Sequence, residues 1–72
     1  MQGDYFYQRL GIRIISIRKA NKVSQECLSH GAHMDRTYLA RIEQGRVNPS
    51  LRVLHKIAKA LRVPLSFLFD GV

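Results

Sequence analysis

Tryptophan is absent from this chain, cysteine occurs once, proline twice, and acids are scarce, 5 Asp and Glu against 12 Lys and Arg. Each shortage removes a class of protein. The single cysteine, Cys27, permits no internal disulfide and is consistent with a cytoplasmic, reducing location. No histidine or acid stands at a metal-ligand spacing from it, and His30, His33 and His55 are too dispersed for a ligand set, so neither a metal nor a cofactor is expected. Nothing marks Cys27 as reactive, because a nucleophilic thiol needs an electropositive setting that the sequence does not show. No apolar run approaches the roughly 18 residues of a membrane span, and no charged-then-apolar signal peptide opens the chain. Ser, His and Asp occur without a nucleophile-and-base motif, and there is little room for a buried substrate pocket, so neither an enzyme nor a small-molecule substrate is expected. Repeats, low-complexity tracts and interdomain linkers are missing, and nothing reads as a strand.

What is present is positive charge on a helical pattern. A formal charge of +7 and a pI near 10.4 favour a polyanionic partner over an acidic small molecule. The longest like-charged run is Arg18-Lys19, so the charge belongs to a folded surface rather than to a disordered basic tail. The 72 residues read as one domain, and a domain of that size buries only about 60% of its unfolded surface. Such a core is marginal alone, and with no disulfide or metal a partner chain is the remaining staple.

Five helices are predicted. The first spans about Asp4 to Ala20, with Asp4 as N-cap and Phe6, Leu10, Ile14 and Ile17 on one inward face. Arg9, Arg13 and Lys19 fall off that face, as do Ile12 and Ile15, which with Tyr5 can form an exposed apolar strip. Asn21-Lys22 ends this helix, with Asn21 suited to the left-handed conformation. The second runs from a Ser24 cap to about His30 and buries Leu28; the third starts at an Asp35 cap. Ser50 caps the fourth, which reaches Leu61 with Leu51, Leu54, Ile57, Ala58 and Leu61 inward before Pro64 breaks it. The last, Leu65 to Phe69, is almost wholly apolar.

Between the second and third helices, Gly31-Ala32-His33-Met34 leaves room for one turn, which is the layout of a helix-turn-helix. On the third helix Leu39 and Ile42 share a side, with Tyr38 beside them, and face the core. Arg36, Thr37, Ala40, Arg41 and Gln44 fall opposite, a stripe of donors around one small residue that permits close approach. Guanidinium forks pair with guanine O6 and N7, and a threonine methyl suits the thymine methyl, so this face fits a DNA major groove. A solvated face without a specific role is the alternative that composition alone leaves open.

Three stretches carry a resemblance. They are Ser24-Gln25-Glu26, Tyr38-Leu39-Ala40-Arg41-Ile42-Glu43-Gln44-Gly45 and Asn48-Pro49-Ser50-Leu51. Together they resemble the phage-repressor type of helix-turn-helix, the Cro/CI or Xre-like family, over roughly Leu10 to Phe69. Within it, Asp35-Arg36-Thr37-Tyr38 is similar to the start of the recognition helix in controller proteins of restriction–modification systems. The resemblance implies a compact, all-α, five-helix lambda-repressor-like DNA-binding domain, with the helix-turn-helix at helices 2 and 3. It implies a sequence-specific transcription regulator binding double-stranded DNA as a homodimer on a palindromic operator. Base contacts are assigned to Arg36, Thr37 and Arg41 with Ala40 and Gln44 flanking, and backbone contacts to Ser24, Gln25, Tyr38, Arg46 and Asn48. A phage-type repressor, an antitoxin-type autorepressor, or a protein- or RNA-interaction module reusing the fold are the alternatives. In one place the chain departs from the family pattern, since His33 stands where a glycine usually permits positive φ.

Two structural pairings complete the expectations. Arg18 and Glu43 match the family pattern and lie near the apolar sides of their helices, where a charge needs a partner, so a partly buried ion pair is predicted. The apolar surplus at the C-terminus predicts a two-fold dimer contact through Leu65, Phe67 and Phe69, with Val53 a neighbour.

Overall fold

The helical spacing of Leu10, Ile14 and Ile17 organises a long first helix, and all three are buried. The computed structural model describes residues 2–72, with side chains from residue 5 onward. Four α-helices follow in order: α1 Gln2–Ala20, α2 Gln25–Gly31, α3 Arg36–Glu43 and α4 Leu51–Leu61. The architecture is all-α, with no strand among the described residues. The fifth element, Leu65–Phe69, is a 3₁₀ helix rather than an α-helix. Pro64 caps it at φ −66°, and five residues make the tighter form sufficient for a short connection to the core.

One cluster joins every element. Leu10, Ile14 and Ile17 of α1 meet Leu28 of α2, Leu39 and Ile42 of α3, Leu54, Ile57, Ala58 and Leu61 of α4, and Leu68 of the 3₁₀ helix. Two inward assignments fail. Phe6 is 41% exposed because the core begins one turn later at Leu10, and Leu51 is 64% exposed because the first residue of α4 projects past the core's edge. Tyr5 and Ile12 lie outside, while Ile15 is half-buried.

The helix starts follow the capping chemistry in two of four cases. The Ser24 hydroxyl accepts from Cys27 N–H at 3.0 Å and that of Ser50 accepts from Val53 N–H at 3.1 Å, each satisfying a donor the first turn leaves unpaired. Asp35 occupies the N-cap of α3 without a side-chain cap bond. It is exposed, so water serves its carboxylate and the bond is optional. Asp4 lies inside α1 rather than ahead of it; its side chain is outside the described residues.

All four α-helices end alike. In each, a residue in the left-handed region is followed by one whose N–H returns to the carbonyl five positions back: Val23 to Arg18, Met34 to Ser29, Arg46 to Arg41 and Val63 to Ala58. The left-handed residues are Lys22 (φ 58°), His33 (φ 54°), Gly45 (φ 73°) and Arg62 (φ 61°). Only one is glycine. Lys22, not Asn21, therefore closes α1; the Asn21 amide instead donates to the Ile17 carbonyl at 2.9 Å, which holds Asn21 within the helical turn.

Candidate nucleic-acid interface

Two short helices, α2 and α3, present the site, and α1 lies across the back of α3. Glycine makes the crossing close. A Cβ on Gly11 would meet the Ile42 carbonyl oxygen at 2.7 Å and collide with the Glu43 carbonyl, and one on Gly45 would stand 2.6 Å from Gln8 Cα. A glycine inside an apolar helical pattern is the signal that could have exposed this contact at Gly11.

Glu43 ties the three helices together. Arg18 Nε donates to Glu43 Oε2 at 2.7 Å and Arg18 Nη2 to Oε1 at 3.2 Å, a bidentate fork. The side chains are 11% and 2% exposed. Gln25 Nε2 adds a third donor to Oε1 at 2.8 Å, and Arg18 Nη1 donates to the Val23 carbonyl at 3.0 Å. The last turn of α3 is thereby held to the end of α1 and the start of α2. The Gln25 side chain, assigned by resemblance to a phosphate, points inward to Glu43 with one amide hydrogen. Its second amide hydrogen and the unpaired N–H groups of the first turn of α2 remain for an anion.

On α3, Leu39 and Ile42 are buried and Tyr38 is half-buried against the same core. Arg36, Thr37, Arg41 and Gln44 are exposed, with half-buried Ala40 between them. Neither arginine is ion-paired among the described residues, where the pairs are Arg13–Asp70 and Arg18–Glu43. Both forks are thus available outward. Beyond Gly45, Arg46 and Asn48 are exposed and flank half-buried Val47, while Pro49 is buried and fixes the loop to the core. Ser24, at the opposite end of the site, spends its oxygen on the cap.

The residues expected to join two copies lie elsewhere. The 3₁₀ helix packs on α1 and α4, whereas α3 packs on α1 and α2. Val53, Leu65 and Phe69 are half-buried against the core, and Phe67 is 41% exposed. Over its ring lies the Arg13 guanidinium, 4.3 Å from the centroid, whose Nε also donates to the Phe67 carbonyl at 3.0 Å. The C-terminal surface is thus partly used by the core and partly dressed by α1. Among the described residues no helix is long and apolar enough to cross a membrane, and no group of three metal-ligating side chains forms.

Residues 14–68 match a family model described as helix-turn-helix. The chain belongs to that family. Its members are DNA-binding transcription regulators, not enzymes, and α2 and α3 both lie within the matched residues. Sequence relatives include the immunity repressor protein of Bacillus phage phi105, 46% identical over 57 residues covering 79% of this chain. The chain spans only 40% of that repressor. Control protein C.MunI of Mycoplasma sp is 38% identical over 65 residues, covering 89% of this chain and 88% of the control protein. Among solved structures, the restriction-modification controller protein C.AhdI from Aeromonas hydrophila superposes with a TM-score of 0.86 at 35% identity, covering 88% of this chain and 96% of that one.

Proposed function

We propose that this chain is a transcription regulator of the controller type, acting as a homodimer on an approximately palindromic operator. The observation that carries the reading is the α3 face: two unpaired arginines and a threonine exposed around the small Ala40, on a helix locked to α1 and α2 through Glu43. Rigid placement of α3 lets guanidinium forks address guanine edges without a further loss of backbone freedom at the moment of binding. Arg36, Thr37 and Arg41 read bases, with Ala40 and Gln44 at the flanks. The first turn of α2, Tyr38, Arg46 and Asn48 meet phosphates and set the register.

Size supports two copies. The folded body measures 31 × 23 × 21 Å and carries one recognition helix, whereas a paired operator sets half-sites about 34 Å apart. Two bodies side by side about a two-fold axis match that spacing. The likeness to C.MunI runs through 88% of that control protein, which favours the controller reading over the phage-repressor one. The 46% identity to the phi105 repressor keeps the second reading specific.

Selection of bound sites from a random duplex library tests the proposal. An inverted repeat with half-site centres about one turn apart is expected. Recovery of no consensus, or of a single unpaired half-site, would overturn it. Locating the selected site ahead of restriction–modification genes, rather than among phage lysogeny genes, separates the two regulator readings.

A further inference from the structure

The turn that links α2 to α3 has a second face, directed at α4, which the DNA reading does not use. There a cleft of about 300 Å³ opens, lined by Gly31, Ala32, His33, Lys56, Lys59 and Ala60. Its volume is at the lower end of small-molecule sites, about 300–1,000 Å³. The floor is small and apolar: a Cβ on Gly31 would lie 3.7 Å from Ala60 Cβ, so larger residues at these places would fill the space. The remaining lining residues are His33, Lys56 and Lys59, and no acidic residue lines the cleft.

Two features make the rim more than an ordinary solvated patch. First, neither lysine is ion-paired among the described residues, and the sequence from Gln44 to Phe69 contains Arg46, Arg52, Lys56, Lys59 and Arg62 with no acid at all. Second, Lys56 is oriented across the cleft, its Nζ 3.5 Å from the His33 carbonyl oxygen, a contact long enough to yield to a stronger acceptor.

The geometry points to a binding site for a phosphate group in this cleft, with Lys56, Lys59 and His33 as its donors and the Gly31–Ala60 floor accepting the apolar part of a phosphorylated ligand. Ammonium groups bind phosphate as point charges, and an imidazole N–H adds a directed bond. The group can belong to a free phosphorylated small molecule or to a DNA backbone running past α4. In either case it bears on recognition, because His33 closes α2 and Asp35 starts α3, with Arg36 the next residue.

The test is titration of the full chain with inorganic pyrophosphate, followed by residue-resolved NMR shifts. It needs no operator and is independent of the regulator reading. Saturable one-to-one shifts at residues 31–34 and 56–60 are expected. The double variant Lys56→Ala/Lys59→Ala should weaken binding by about tenfold or more. His33→Gly should also bind more weakly while melting no lower than the parent, which separates a lost donor from a damaged turn. Equal pyrophosphate affinity in the parent and the double variant, or shifts confined to Arg36 and Arg41, would overturn the assignment. The double variant's affinity for duplex DNA at two salt concentrations identifies the source. Equal losses on all sequences with a flatter salt dependence assign the site to the DNA backbone. Unchanged duplex binding with lost pyrophosphate binding assigns it to a free ligand.

Discussion

At the scale of single residues, the chain separates charges that hold the fold from charges that face outward. Glu43 is buried and takes three hydrogen bonds, two from Arg18 and one from Gln25. Removing its charge leaves a guanidinium only 11% exposed without an anion. Glu43→Gln is therefore expected to lower stability by up to about 3–5 kcal/mol, read as an earlier urea midpoint. A midpoint equal to the parent's would mean that the pair contributes no more than an exposed one. Arg36 and Arg46 are both exposed and differ by position, one on the α3 face and one in the loop beyond it. On the proposed interface, Arg36→Ala should cost roughly 1–3 kcal/mol on operator DNA and relax preference at one position of each half-site. Arg46→Ala should weaken binding to operator and random duplex nearly alike and flatten the salt dependence. Equal losses on both duplexes for Arg36→Ala would remove it from the base-reading set.

At the scale of elements, helix ends and one close crossing carry the strain. Lys22 and Arg62 adopt the left-handed region with long side chains at the ends of α1 and α4. That conformation costs a non-glycine residue about 1–2 kcal/mol, partly offset because glycine loses more freedom on folding. Lys22→Gly and Arg62→Gly should each raise stability by up to about 1 kcal/mol, seen as a higher melting temperature. Gly11 is the opposite case. A methyl there runs into the backbone oxygens of Ile42 and Glu43, which cannot turn aside as a side chain would. Gly11→Ala should destabilise by about 1–3 kcal/mol despite alanine's better helix propensity. A variant as stable as the parent would show that α1 can slide on α3. Because α3 is the helix displaced by such a shift, operator affinity should fall with stability.

At the scale of the whole molecule, association is the open variable. The monomer buries Leu68 fully and Leu65 and Phe69 in part, leaving Phe67 with Arg13 stacked on it as the exposed centre of that surface. Aromatic and arginine side chains dominate the energetics of protein interfaces. Sedimentation at micromolar concentration should give a mass that rises toward twice 8.3 kDa, and Phe67→Ala should shift the equilibrium toward monomer without unfolding the chain. A mass independent of concentration would reject the dimer.

The all-α character, the helix-turn-helix and most of the core were legible in the sequence, because periodic apolar residues and serine caps act within a few residues of themselves. Leu10, Ile14, Ile17, Leu28, Leu39, Ile42, Leu54, Ile57, Ala58 and Leu61 are all buried as their spacing predicts. The left-handed turn at His33 was legible too, through its departure from a family pattern. Phe6 and Leu51 show where periodicity fails: it reports which side of a helix is apolar and not where the neighbouring helices end. Tertiary structure alone decided the rest. The Gln25 amide turns inward because α3 brings Glu43 within 2.8 Å of it across 18 positions of sequence. The cleft at His33, Lys56 and Lys59 exists because α4 packs beside the α2–α3 turn. Such encounters between distant segments depend on packing, which no local pattern of residues encodes.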